Sequence, residues 1–127
     1  MGAWTTRDSA ELYGSSSWGR DYFGISARGD MIVQPRGAGG PAINLRALVE
    51  ELRGRGLRTP LLIRFSDILA SRVREIAGCF QRAIAEYEYH GRYRGVYPIK
   101  VNQQRHVVEE LINHGRPSNL GLEVGSK

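Results

Sequence analysis

The sequence predicts an α/β fold built on a parallel sheet, and three observations predict it. From residue 61 onward, strand-like and helix-like segments alternate as strand, long helix, strand, helix, strand. That alternation implies right-handed crossovers between parallel strands. The run "LLIRF", residues 61–65, is almost unbroken apolar sequence of strand length, as a strand covered on both faces requires. Finally, 127 residues with 41% hydrophobic and 24% charged side chains suit one ordinary globular domain rather than a disordered or fibrous chain.

The elements follow in order. Within "YFGISARGDMIVQ", residues 22–34, two short apolar runs flank "ARGD", which predicts a β-hairpin. "PRGAGGP", residues 35–41, cannot continue a ladder and marks a sub-domain boundary. Asn44 is the expected cap of a helix over "LRALVEELRGRG", where Leu45, Leu48, Val49 and Leu52 recur at helical spacing and Gly54 and Gly56 end it. Thr59 and Pro60 break the chain ahead of the "LLIRF" strand. Ser66 or Asp67 can cap the long helix, whose stripe of Leu69, Val73, Ile76, Phe80, Ile84 and Tyr87 holds three- and four-residue steps. "GVYPIKVN", residues 95–102, predicts the next strand. Val107, Val108, Leu111 and Ile112 then share one face of a helix that stops at Gly115, and "LGLEV" opens a further strand.

Composition narrows the function classes. The formal charge of +5 is spread over arginines from Arg7 to Arg116 without a basic block, so it does not point to nucleic acid. The run "EYEYHGRYRGVY", residues 86–97, does interleave aromatics with cations as single-strand binders do, but Glu86 and Glu88 interrupt it. Cys79 is the only cysteine, which excludes an internal disulfide, gives no metal-ligand spacing and fits a reducing cytoplasm. The N-terminus lacks a secretory pattern, and no apolar run approaches a bilayer span, so no membrane partner is expected. The opening "MGAWTT" meets only the loose myristoylation pattern.

Lys100 is out of place. It is one of two lysines beside sixteen arginines, and it interrupts an apolar strand. If alternation continues along "VYPIKVN", Val96, Pro98, Lys100 and Asn102 share one face and Tyr97, Ile99 and Val101 the other. With the second face against helices, Lys100 points into the sheet interior or barrel, near the carboxyl end of its strand, where parallel α/β folds place their chemistry. Poor solvation there disfavours the ammonium form and frees a nucleophilic amine able to form a Schiff base with an aldehyde cofactor. The structural alternative is a lysine that snorkels to water or pairs with a carboxylate.

"YPIKVNQQRHVVEELINHG" followed by "LGLEVGSK" closely resembles the biosynthetic arginine decarboxylases, pyridoxal-phosphate enzymes with an alanine-racemase-like barrel. "ELYG...WGRDYFGISARGDMIVQP" resembles the same family's N-terminal region, so the likeness covers roughly residues 11 to 127. Tyr97, Lys100 and Asn102 also satisfy the shorter signature shared with ornithine and diaminopimelate decarboxylases, and the longer words select the arginine branch. The resemblance implies the N-terminal part of a (β/α)8 barrel, incomplete in this chain. Residues 1–42 would form an N-terminal segment with the hairpin, and residues 43–127 the first barrel units. It implies that Lys100 carries the cofactor as a Schiff base and that Glu123 lies near the cofactor, with a purely structural carboxylate as the alternative. Asn102 is expected to cap the following helix. His106 reads as a surface or packing residue, and His90 and His114 as helix-end residues explained by the dipole. "YGSSSW", residues 13–18, is more polar than the family pattern at that point.

The implied reaction converts L-arginine to agmatine and carbon dioxide in polyamine synthesis, with magnesium as a family requirement and no metal site among these residues. A homo-oligomer is expected for the full-length protein. A closed eight-stranded barrel takes about 250 residues, so the chain reads as truncated, weak in cofactor binding and inactive alone. Two other classes stay open at this point: a non-catalytic pyridoxal-phosphate-binding or regulatory α/β module, and a nucleic-acid-binding domain.

Overall fold

A computed structural model describes residues 2–125 and divides the chain into two compact units, one reaching to Phe65 and one starting at Ser66. The fold is mixed α/β, with a three-stranded antiparallel sheet in the first unit and a two-stranded parallel sheet in the second. No barrel closes among the described residues.

In the first unit, α1 (Thr6–Leu12) starts at a capping box. Asp8 N–H donates to Thr5 Oγ1 at 3.3 Å, and Thr5 N–H donates back to Asp8 Oδ2 at 2.7 Å. The short α2 (Ser15–Trp18) then leads to β1 (Phe23–Ile25), with the Trp18 and Phe23 rings 5.3 Å apart. The hairpin forms as expected: β1 pairs antiparallel with β2 (Met31–Val33), from Phe23 opposite Val33 to Ile25 opposite Met31. Its loop is held by Ser26, whose N–H donates to Asp30 O at 2.8 Å, while Gly29 takes the left-handed conformation that a side chain resists. A third strand, β3 (Ile43–Asn44), adds to β2 and runs directly into α3 (Leu45–Gly54). Asn44 caps α3 as expected, its Oδ1 accepting from Ala47 N–H at 3.1 Å. At the other end Gly56 adopts a left-handed φ of +89°, and Leu57 N–H donates to Leu52 O at 3.1 Å. Val33, fully buried, is the centre of this unit's core.

"LLIRF" departs from expectation, because residues 61–65 join no sheet. The segment keeps an alternating pattern, Leu61, Ile63 and Phe65 half-buried and Leu62 and Arg64 exposed, but has no ladder partner among the described residues. Apolar content gave the strand its local preference; a strand also needs a neighbour to take its hydrogen bonds.

In the second unit, α4 (Ser66–Glu86) is the long helix expected, packed against α5 (Arg105–Gly115). Its most buried residues are Ala70 and Ala77, beside the larger stripe; Ile76 and Phe80 stay about half exposed. Two small side chains let the helices approach, so the contact centres on them. Val107 and Leu111 of α5 are buried as the periodicity required. The parallel pair is β4 (Val96–Pro98) and β5 (Gly121–Glu123), with Tyr97 opposite Leu122 and Pro98 opposite Glu123. Among the described residues two parallel strands pair, where three were expected.

The strand expected over residues 95–102 ends at Pro98, and residues Ile99–Val101 form a single 3-10 turn. Glu123 is the last partner β5 offers, and beyond it the backbone satisfies itself locally instead of by pairing. After α5, a short 3-10 turn (Arg116–Ser118) and a left-handed Asn119 return the chain to β5.

Candidate functional site around Lys100

Lys100 lies in the middle of the 3-10 turn that follows β4 and is exposed. Lys100 was expected within the strand near its carboxyl end; the structure puts it just past the end of β4. Two-residue alternation stops with the strand at Pro98, and Lys100 stands exposed in the turn beyond it.

The turn is bracketed by the other two members of the signature. Tyr97 is half-buried on β4, and its hydroxyl donates to the Asn102 carbonyl at 3.4 Å, across the turn that carries Lys100. Asn102 is not the helix cap that was expected. Gln104 holds the N-cap position of α5, and Asn102 Oδ1 instead accepts from Gln104 N–H at 3.0 Å, an Asx-type link two residues on.

Glu123 ends β5 and is half-buried. Its register opposite Pro98 puts it at the same carboxyl edge of the pair that leads into Lys100. Its Oε1 reaches toward Gly125, 3.5 Å from where a Cβ on that glycine would stand. Lys100 and Glu123 thus share one edge of the sheet. Ion pairs of this unit join Arg72 to Glu75, Arg105 to Glu109 and His114 to Glu110.

A cluster that sequence reading did not find links α4 to α5. Ser66 Oγ donates to Glu110 Oε2 in a short contact and lies 3.0 Å from His114 Nε2. His114 is therefore more than a helix-end residue adapted to the dipole: it joins a tie across 48 positions of sequence. The tie is not a nucleophilic triad. A triad's acid bonds the ring nitrogen opposite the one facing the serine, whereas here Glu110 Oε2 lies 3.8 Å from Nε2 itself. The spacing of Glu110 and His114, one turn apart on α5, was the only signal in the sequence. His106 and His90 are exposed.

The aromatic and cationic run of residues 86–97 is partly used inside the unit. Tyr93 stacks on Phe80 with centroids 4.1 Å apart and planes 5° apart, so that ring is not a free platform for a base. Among the described residues, no three His, Cys, Asp or Glu side chains are placed to hold a metal ion, and no helix is long and apolar enough to cross a membrane.

No family model matches the chain. Curated proteins do. It is 56% identical over 127 residues to a biosynthetic arginine decarboxylase of Gloeobacter violaceus, covering all of this chain and 20% of that protein. Proteins of the same name from Parasynechococcus marenigrum and from a Nostoc species are 56% and 51% identical over 124 residues each, 98% of this chain and 19% and 18% of theirs. The chain spans about a fifth of the length of the curated relatives it matches. The resemblance carried by "YPIKVNQQR" and "GLEVGSK" is thereby borne out: along its whole length the chain is similar to curated proteins named biosynthetic arginine decarboxylase.

Proposed function

We propose that these 127 residues are the N-terminal portion of a pyridoxal-phosphate-dependent arginine decarboxylase that converts L-arginine to agmatine and carbon dioxide for polyamine synthesis. The observation that carries the reading is identity above one half to proteins of that name over the whole chain, including the turn that presents Lys100. In this reading residues 1–42 precede the barrel and residues 43–127 supply its first units, with β4 and β5 as neighbouring barrel strands.

The residues present fit an aldehyde cofactor in kind. Lys100 offers an accessible primary amine at the carboxyl edge of two parallel strands, and Glu123 offers a carboxylate on the same edge. When bound, pyridoxal phosphate would supply the electron sink for the bond broken at the substrate α-carbon. Lys100 Nζ would tether the cofactor and must shed a proton before it can attack an aldehyde. Glu123 would orient a polar group of the cofactor. Magnesium enters through the resemblance alone, and no step is routed through it. The full-length protein is read as a cytoplasmic homo-oligomer.

An exposed Lys100 carries a consequence. Residues outside this chain must supply the desolvation that frees its amine, so the 127 residues alone bind the cofactor weakly and turn over no arginine. The test is borohydride reduction of the full-length protein with pyridoxal phosphate, followed by peptide mapping. Label at Lys100 supports the reading, and label confined to any other amine overturns it. Turnover compared across arginine, ornithine, lysine and diaminopimelate decides the substrate, with arginine expected to lead.

A further inference from the structure

We infer that Tyr97 is a positioning residue for Lys100, acting as a latch that fixes the turn on which the amine stands; the inference rests on the reading just given. Lys100 is exposed and lies at the middle of a one-turn segment, so its place is set by the backbone of residues 99–101 and by what holds the two ends of that segment.

One end is the strand pairing of Pro98 with Glu123. The other is Asn102, in extended conformation with φ −152° and ψ 109°, at the exit of the turn. The Tyr97 hydroxyl reaches the Asn102 carbonyl at 3.4 Å and so joins the strand before the turn to the residue after it. The ring that carries the hydroxyl is itself anchored. It lines a cavity of about 220 Å3 together with Leu69, Val73, Leu111 and Leu120, so the aromatic spans from the apolar interior to the turn. The Asn102 side chain continues the chain of contacts to the first turn of α5 through Gln104 N–H. The spacing of Tyr97, Lys100 and Asn102 then has a physical meaning. The tyrosine and the asparagine are the two ends of the latch, and the lysine is what it holds out.

Tyr97→Phe isolates the effect, because the ring stays in its cavity and only the hydroxyl is lost. In the full-length protein, three quantities would be compared with wild type: the affinity of the cofactor-free protein for pyridoxal phosphate, the pH dependence of the bound cofactor's visible absorption, and the residue labelled after borohydride. The expected result is label still at Lys100, a two- to tenfold loss of affinity, as for one neutral hydrogen bond, and a shifted absorption pH profile with the thermal melt unchanged. A merely structural tyrosine would lower the melt and leave the pH profile in place. Label at Lys100 with affinity and pH profile as in wild type would overturn the latch and spare the reading. A wild-type protein that takes no label at Lys100 would overturn both.

Discussion

Gly115→Ala is the most demanding test of the packing that brings β5 beside β4. Gly115 closes α5, and a Cβ built on it would lie 2.4 Å from Leu120 Cβ, 2.6 Å from Leu120 Cδ2 and 3.0 Å from Leu120 Cγ. Ordinary contacts between such carbons begin near 3.5 Å, so Leu120 must retreat by roughly 1 Å. Its main chain is not free to do so, since Leu120 N–H donates to Gly115 O at 3.0 Å and Gly121 N–H donates to Gly95 O at 2.9 Å. Overpacking of this kind costs about 1–3 kcal/mol, and the smaller unfolded-state entropy of alanine returns roughly 0.4–1 kcal/mol. The backbone itself adds no penalty, because φ at Gly115 is −86°. A net loss of about 1–2 kcal/mol should lower Tm by roughly 3–8 °C in a chain of this size. Thermal melts and urea midpoints on the two proteins read it directly. A double-mutant cycle locates the cause: in the Gly115→Ala background, Leu120→Ala should be less costly than in wild type, because it removes the clash along with the contacts. A Gly115→Ala protein as stable as wild type, or a cycle without coupling, would refute the close approach of α5 to the start of β5.

Three further outcomes follow from the same structure. Glu88, two residues past the end of α4, lies in the left-handed region at φ +49°, with Tyr89 N–H donating to Ile84 O, so Glu88→Gly should raise Tm by a few degrees, about 0.5–1 kcal/mol, and a lowered Tm would count against that helix end. Hydrogen bonds from the Thr5 hydroxyl, and then from the Thr5 backbone, hold the Asp8 carboxyl below its usual 3.8. A depressed folded-state value means that the cap's contribution is present above pH 3.8 and lost as pH falls through the folded value. Amide exchange in α1 should therefore accelerate on acidification, and Asp8→Asn should abolish that dependence. Ser66→Ala removes the hydroxyl joining Glu110 and His114 and should cost about 1 kcal/mol, read as a lower urea midpoint at constant m; an unshifted midpoint would mean the α4–α5 tie contributes nothing.

The sequence was legible where local chemistry decides. Asn44 capped α3, "ARGD" turned the hairpin, and the periodic stripes of α4 and α5 became helices, because caps, turns and amphipathic faces are encoded within a few residues. The capping box of Thr5 and Asp8 is equally local, yet no helix was expected there. What could not be read depended on distant partners. "LLIRF" has the composition of a strand and no ladder, while Ser66 meets Glu110 and His114 over 44 and 48 positions. For the site, a parallel strand leading up to Lys100 was legible. Its end at Pro98 and the exposure of Lys100 were not, because strand length and burial depend on whatever stands opposite.

That exposure and the short sheet have one cause. Parallel strands are slightly less stable per residue than antiparallel ones and occur almost only when both faces are covered. Here β4 and β5 pair over three residues, and among the described residues neither has a second neighbour. Val96 is 57% exposed and Leu122 39%, so residues on both faces of the pair remain in contact with water. By contrast Val107 and Leu111 of α5 are 6% and 8% exposed, and Ala77 opposite them on α4 is 6%. The helix pair should therefore outlast the strand pair in native-state hydrogen exchange. Slow exchange is expected at Leu111 and its α5 neighbours, and fast exchange at the β4–β5 ladder amides. A covering partner that docked on the sheet should bring the two classes together. Ladder amides in this 127-residue chain that exchange as slowly as those of α5 would show that the strand pair is already self-sufficient, and the need for outside residues to desolvate Lys100 would lose its physical basis.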